Sequence, residues 1–364
     1  MPAPRLVLVG GFLGAGKTTA LAALARLLTA RGERVGVITN DQAGDLVDTA
    51  TLAGEDLPVA EIAGACFCCR FDELVAGAGR LLGEHRPGWL LAEAAGSCAD
   101  LVATVLRPLR RLLPGRFRLA PYSVLIDPFR AGELLGLRPG TLPADVRYLL
   151  EQQLGEADLI LLTKTDWLSA RDQITLQEGI QGHHPFARVL PLSAEDPGTH
   201  AEWLVTLGTE PERPGHPLDL DYDRYARAEG ALGWANASVA VQAAEPFEFG
   251  ELVMDLVTLV SGSLAHCNAE IAHVKARCGA GARWARAHAT GAGSRPELDE
   301  DSDGHARAGL LLLNARAACD AGLLHRLCTD ALLSVLAARG ATGRILRERH
   351  FAPPRPRPTH RDAD

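Results

Sequence analysis

The chain has 364 residues, 47% of them hydrophobic and 23% charged, with a formal net charge of −8. This is an ordinary globular composition that excludes wholesale disorder, and the absence of a basic excess argues against a nucleic-acid partner. At ~150 residues per domain, the length predicts two domains and a tail.

The chain opens Met1-Pro-Ala-Pro-Arg5, without the apolar core of a signal peptide. Residues 5–9 are strand-like and 18–29 repeat Leu and Ala at helical spacing. Further strands are expected at 34–39, 89–92, 123–126, 159–162 and 188–192, with helices at 71–83, 99–113, 143–154 and 170–179. Strands alternating with helices predict an α/β domain over 1–207, built on a mostly parallel, doubly wound sheet. Residues 208–231 read as a Pro-rich, charged linker. From 232 to 345 the pattern becomes a smaller α+β domain. It has strands at 235–243, 271–277, 283–290 and 310–315, helices at 249–264 and 321–338, and an acidic solvated loop at 297–303. The tail 346–364, with Pro-Pro-Arg-Pro-Arg-Pro after Ala352, reads as disordered. The longest apolar runs, such as 6–9 and 310–313, are far short of the ~20 residues of a membrane span. The expectation is a cytoplasmic protein with no membrane partner. Its eight cysteines are then thiols or metal ligands rather than disulfides.

Gly11-Phe-Leu-Gly14-Ala15-Gly16-Lys17-Thr18-Thr19 matches G-x-x-x-x-G-K-[ST] between a strand and a helix. Its glycines let backbone N–H groups curl round phosphates at a helix N-terminus. Lys17 reaches the β- and γ-phosphates and Thr18 ligates Mg²⁺. Of 37 basic residues only Lys17, Lys164 and Lys275 are lysines. Where arginine serves almost everywhere else, a surviving ammonium is a pointer to chemistry. Lys164 stands in Thr163-Lys164-Thr165-Asp166, the pattern T-K-x-D that reads guanine. A carboxylate at Asp166 accepts from guanine's N1–H and exocyclic amine, a donor pair that adenine lacks. Ser193-Ala194 follows the next strand, where a backbone N–H is placed for the guanine carbonyl. Cys66-Phe67-Cys68-Cys69 puts three thiols in four residues, which points to a soft or borderline metal or to redox work.

P-loop, C-x-C-C, a strand ending in Glu93 before Gly96, and T-K-x-D, in that order, resemble the CobW-type GTPases. These are metallochaperones akin to the nickel-inserting GTPases of urease and hydrogenase maturation. The resemblance covers the first ~200 residues well and the second domain more loosely. It implies that Glu93 acts near Mg²⁺ or its water shell and that Gly96 senses the γ-phosphate. Asn40-Asp41-Gln42-Ala43-Gly44 stands where the family shows Asn-Glu-Phe-Gly, so Asp41 is a shorter acid there. Thr163 replaces the commoner Asn, Ala65 stands where the family has Gly, and His273-Val-Lys275-Ala replaces Arg-x-Lys-Gly. Cys98, just past Gly96, is either a further metal ligand or a small residue at a helix start. His183 and His184 read as solvated loop residues; His266, Cys267, His273 and Cys278 stay open as a secondary metal group; Cys319 and Cys328 read as core.

These features lead to an expected GTPase with Lys17, Glu93 and Asp41 as catalytic residues. It binds GTP and Mg²⁺ and carries a transition metal on Cys66, Cys68, Cys69 and Cys98, zinc first and cobalt next. Nucleotide state gates delivery to a metal-requiring client protein. Self-association into a homo-oligomer stays open. The alternatives are a regulatory GTPase that handles no metal and a small-molecule P-loop kinase, which lacks T-K-x-D.

Overall fold

β1 (Arg5–Gly11) is buried along its whole length and lies at the centre of a parallel sheet. The computed structural model describes residues 2–41, 57–63, 66–209, 217–291 and 295–362, without the side chains of Asp41, Ala63 and Glu300. The other strands of this sheet are β2 (Val35–Asp41), β3 (Val59–Ala63), β4 (Trp89–Glu93), β5 (Arg118–Leu119), β6 (Ser123–Ile126), β7 (Leu159–Leu162) and β8 (Arg188–Pro191). Their order is β3-β2-β4-β1-β6-β7-β8, with β5 beside β1. Buried apolar runs such as Leu-Ile-Leu-Leu in β7 are what a sheet covered by helices on both faces requires. The chain moves one way across the sheet from β1 to β3 and the other way from β6 to β8, so the carboxyl end of β1 opens at the switch point where ligands bind.

The second sheet is antiparallel, in the order β12-β11-β10-β13-β9-β14. Its strands are β9 (Gly233–Glu248), β10 (Ile271–Ala280), β11 (Arg283–Ala289), β12 (Glu297–Asp301), β13 (His305–Ala317) and β14 (Ala341–Phe351). Alternation along the strands sorts its two faces. Val274, Ala276, Cys278, Ala287, Leu311 and Leu313 enter a core beneath the helices Phe249–His266 and Ala321–Ala338. The other face carries His273, Lys275, Arg286 and His288 and is turned toward the first sheet's ligand end. The helix Ala321–Ala338 is long and apolar enough to cross a membrane by length and composition, though no single apolar run revealed it. In the fold its Leu324, Cys328, Leu332 and Val335 are buried on this sheet.

Three stretches read as irregular in the sequence are ordered in the structure. The acidic run expected as a loop at 297–303 supplies β12, because basic β11 lies beside it: Asp299 pairs with His288 at 2.7 Å and with Arg286 at 2.9 Å. The expected linker contains the helix Tyr222–Gly230, capped by Asp221, whose carboxylate accepts from the N–H groups of Asp223 and Arg224. Its Tyr225 and Ala228 join the core of the first domain. The tail expected to be disordered from 346 forms the end of β14, paired as far as Phe351 with Trp234, and residues beyond it bond back to Cys68 and Ala103. Composition marked the prolines and arginines there but not the strand edge and acidic groups that receive them.

Two buried guanidinium groups join the domains. Arg130 donates to Glu133 at 2.7 Å and across to Glu270 at 2.6 Å. Arg316 of β13 donates to Ser97 Oγ at 2.9 Å and to Glu229 at 3.0 Å, with its guanidinium 4.6 Å from the Trp234 ring centre. Replacing Arg316 by Ala leaves a fully buried carboxylate without this guanidinium. We expect a stability loss of about 3–5 kcal/mol in urea unfolding, the range for breaking one side of a buried pair. A loss under about 1 kcal/mol, the worth of a surface pair, would contradict the burial.

Candidate functional site: a nucleotide cleft and a thiol cluster

The loop after β1 makes a tight path that needs glycine. Gly11 has φ 122°, and a Cβ there would stand 2.3 Å from Leu125 O. Gly14 and Gly16 also have positive φ, and Gly16 caps the helix Lys17–Ala30. The N–H groups of Lys17, Thr18 and Thr19 open that helix and have no partner within it, which makes an anion cradle. Ala15 spends its N–H on Phe12 O at 3.2 Å, so it supports the loop rather than the cradle. Lys17 folds its ammonium back over the loop, donating to Gly11 O at 2.8 Å and Phe12 O at 3.1 Å.

Parallel pairing sets Val9 beside Glu93, and Thr18 donates its hydroxyl to Glu93 Oε1 at 3.0 Å. Both residues are buried. A hydroxyl and a carboxylate so placed are the hard oxygen donors that suit Mg²⁺. Gly96 follows on the same loop: a Cβ there would meet Leu13 Cδ2 at 2.7 Å and Leu13 N at 3.0 Å. Gln153 holds the loop from behind, donating to Gly96 O at 3.0 Å and Cys98 O at 2.9 Å. Asp41 ends β2 two residues past Thr39, which is in register with Glu93. The Asp41 side chain and Gln42, Ala43 and Gly44 lie outside the described residues.

At the far end of the cleft, Thr163 Oγ1 donates to Ile126 O at 3.2 Å. Lys164 takes the left-handed conformation, φ 54°, and sets its ammonium 4.4 Å from the ring centre of Trp167. Asp166 Oδ1 accepts from Ser193 Oγ at 2.7 Å. Of the two N–H groups in Ser193-Ala194, that of Ser193 is taken by Thr199 Oγ1 at 3.1 Å. Ser193 therefore orients Asp166 with its hydroxyl, and Ala194 is the member of the pair that lines the cleft. Trp167 was passed over in the sequence; its signal was a large aromatic directly after T-K-x-D, and it is 54% exposed.

The second domain closes the cleft opposite the phosphate loop, with His273, Lys275, Arg286, His288 and Thr290 among the lining residues. Thr290 is so close that a Cβ on Gly14 would stand 2.5 Å from its Cγ2. Only His273 and Lys275 drew attention in the sequence. The others were detectable as polar positions alternating with Ala285, Ala287 and Ala289 along β11. His183 is exposed; His266 and Cys267 are exposed and Cys278 is in the core, and among the described residues neither group of three metal-ligating side chains, Cys66-Cys68-Cys69 or His288-Glu297-Asp299, includes them or His273.

The cysteine loop turns tightly before the helix Phe71–Glu84, with Cys69 N–H and Arg70 N–H both donating to Cys66 O at 3.0 Å. The sulfur of Cys66 lies 2.6 Å from that of Cys68 and 3.4 Å from that of Cys69; Cys68 and Cys69 are 3.7 Å apart. Cys98 points its thiol at Cys66 and Cys68 from the other loop. The hydrogen bonds from Cys68, Cys69 and Cys98 hold Cys66 well below the usual thiol range, outweighing burial. The same bonds to Cys66 push Cys68 and Cys98 up, and Cys69 up to about 11. Sulfurs round one tetrahedral zinc at ~2.3 Å stand about 3.7 Å apart, so two edges of the trio already fit and the Cys66–Cys68 edge must open by about 1 Å. Asn40 ties this loop to the cleft that it lines: its Oδ1 accepts from Phe67 N–H at 2.9 Å, and its Nδ2 donates to Ile62 O at 3.0 Å.

Fold and cleft define a P-loop nucleotide-binding domain with a thiol cluster against one of its loops. The family model "CobW/HypB/UreG, nucleotide-binding domain" matches residues 5–191, just over half of the chain, and the chain belongs to that family. It is 32% identical over 193 residues to the protein named zinc chaperone CobW of Sinorhizobium sp, a match over 44% of this chain and 51% of the relative. The chain thus spans about half the length of that curated relative. Among solved structures it is similar to HypB from Helicobacter pylori in complex with nickel, at 16% identity and a TM-score of 0.42, covering 60% of this chain and 92% of that one. It is also similar to Zn(II)-bound YjiA GTPase from E. coli, at 16% identity and a TM-score of 0.40, covering 93% and 99% of the two chains.

Gly96 gives a direct test of the cleft. Gly96→Ala forces a methyl against Leu13, and overpacking of this kind costs about 1–3 kcal/mol. A fluorescent-nucleotide titration should show affinity reduced about 5- to 150-fold, that cost taken from binding. Unchanged affinity would mean that the loop 94–98 does not shape the phosphate end.

Proposed function

We propose that the chain is a GTP-hydrolysing metallochaperone: it binds a transition metal on Cys66, Cys68, Cys69 and Cys98 and passes it to a metal-requiring client protein. The observation that carries this reading is that Cys98 lies two residues beyond Gly96 on one short loop, with Asn40 bridging the cleft to Phe67. A change at the phosphate end therefore reaches ligands on both cysteine loops. Zinc is the first choice because it takes four mixed ligands without redox cost, and the name of the Sinorhizobium relative favours it. Cobalt is second, since tetrahedral thiolate sites accept it.

In this reading Lys17 and the helix N-terminus hold the phosphates. Thr18 and Glu93 hold Mg²⁺, which when bound neutralises phosphate charge. Asp166, held by Ser193, accepts from the guanine edge, and Lys164 packs over the base. Catalysis is then positioning and charge stabilisation, with Asp41 and Glu93 as the candidates to orient the attacking water. Without a partner, hydrolysis should run near ~10⁻⁴ to 10⁻² s⁻¹.

Two measurements test the reading. In equilibrium titrations the protein should prefer GTP to ATP, and Asp166→Ala should erase most of a preference that reaches about 10⁴-fold where a buried donor pair is read. Equal affinity for both nucleotides would favour the kinase alternative. The reduced protein should also retain zinc on desalting, and a Cys66→Ser/Cys68→Ser variant should lose it. Retention by that variant would refute the thiol site and favour a regulatory GTPase.

A further inference from the structure

Residues 357–362 lie across the thiol cluster. Arg357 donates its backbone N–H to Cys69 Sγ at 3.3 Å. Thr359 donates its N–H to Cys68 O at 2.8 Å and its hydroxyl to Cys69 O at 3.2 Å. His360 packs edge-on against Phe71, ring centres 5.0 Å apart, at the start of the helix that follows the cysteines. The segment then crosses to the other loop. Arg361 Nε donates to Asp100 Oδ2 at 2.7 Å, and its guanidinium lies 5.5 Å from the Tyr222 ring centre. The Tyr222 hydroxyl donates to the same carboxylate oxygen at 2.7 Å. Asp362 donates its N–H to Ala103 O at 2.8 Å and pairs with Arg111 at 2.8 Å.

These contacts sort by loop. Arg357 and Thr359 bind the loop that carries Cys66, Cys68 and Cys69. Arg361 and Asp362 bind the stretch that follows Cys98. Asp100 is fully buried and has φ 63°, a conformation that costs energy for a residue with a Cβ and needs surroundings to hold it. The segment is thus a six-residue bridge between the loop whose three sulfurs stand at ligand spacing and the loop that carries Cys98.

We propose that residues 357–362 are a clasp of the metal centre, with Arg361 a positioning residue, and that the clasp must be closed for the metal to be held. The proposal rests on the metal-binding reading given above. A bond from Arg357 to a ligand sulfur and a tether on each loop fix ligand geometry, the kind of outer-shell support worth 10–100-fold in metal affinity. The clasp also lies on the outer edge of the site. The Arg361 side chain is 35% exposed and that of Arg111 54% exposed, so the clasp can lift without opening either core. A docked clasp retains the ion; a lifted one uncovers Cys69, the least buried of the four cluster thiols, for exchange with a partner's ligands.

The test uses zinc and cobalt on the full chain, on Arg361→Ala and Arg361→Lys, and on a truncated chain lacking residues 353–364, which keeps β14 intact. Zinc transfer to a chelator in excess is followed by stopped flow, and the thiolate-to-cobalt absorption reports ligand geometry. Release from Arg361→Ala and from the truncated chain should be faster by about tenfold or more, the lower end of the outer-shell range. Arg361→Lys, which keeps a cation for Asp100, should recover part of the difference. The cobalt band should be altered in both impaired variants while circular dichroism and the thermal midpoint stay close to the parent. Equal release rates and identical cobalt spectra in all four proteins would overturn the clasp and leave the metal reading standing. Absence of cysteine-dependent zinc binding in the parent would overturn the metal reading and the clasp with it.

Discussion

Only four residues separate Glu93, whose carboxylate accepts from Thr18, from Cys98, whose thiol faces Cys66 and Cys68. That short covalent distance is the constraint on which the rest of the structure depends. The parallel register of β1 and β4 fixes Glu93 beside the phosphate loop, and Gln153 fixes the carbonyls of Gly96 and Cys98. The loop is thus held at both ends, by the strand register and by Gln153. A close-packed interior converts such a constraint into two discrete arrangements rather than a continuous drift.

The second domain takes part in the same loop. Arg316 reaches Ser97 from β13, and Thr290 sits over Gly14. One face of the antiparallel sheet is a hydrocarbon core under two helices. The other is a polar wall of the nucleotide cleft. Its placement depends on two buried ion-pair sets, Arg130 with Glu133 and Glu270, and Arg316 with Glu229. Buried pairs of this kind contribute little net stability but penalise misplacement strongly, which suits an interface whose geometry matters more than its strength.

The parts of the proposed site legible in the sequence are those whose chemistry needs contiguous residues. A phosphate cradle requires glycines and a lysine in one run, a guanine reader requires its carboxylate at a fixed step from its lysine, and a thiol loop requires clustered cysteines. Such runs are readable because the ligand, not the fold, sets their spacing. The doubly wound sheet was legible for a related reason: apolar strands and helical periods alternate along the chain. What stayed hidden was set by tertiary approach. Arg316 and Ser97 are 219 positions apart, and nothing in either neighbourhood announces the other. The acidic run became a strand because a basic strand stood beside it. The Pro- and Arg-rich tail became ordered because its arginines and its backbone found Asp100, Asp223 and the edge of β9. At Ser193-Ala194 the position was legible but not the division of labour: the Ser193 hydroxyl bonds Asp166 and its amide bonds Thr199.

The central claim is that nucleotide state and metal affinity are linked through the loop from Glu93 to Cys98. Zinc affinity measured by chelator competition, once with a non-hydrolysable GTP analogue bound and once with GDP, tests it most directly. The account predicts tighter zinc binding with the analogue, by the 5–150-fold that corresponds to a coupling of about 1–3 kcal/mol, and by reciprocity zinc should tighten the analogue by the same factor. Equal zinc affinity in the two nucleotide states would contradict it.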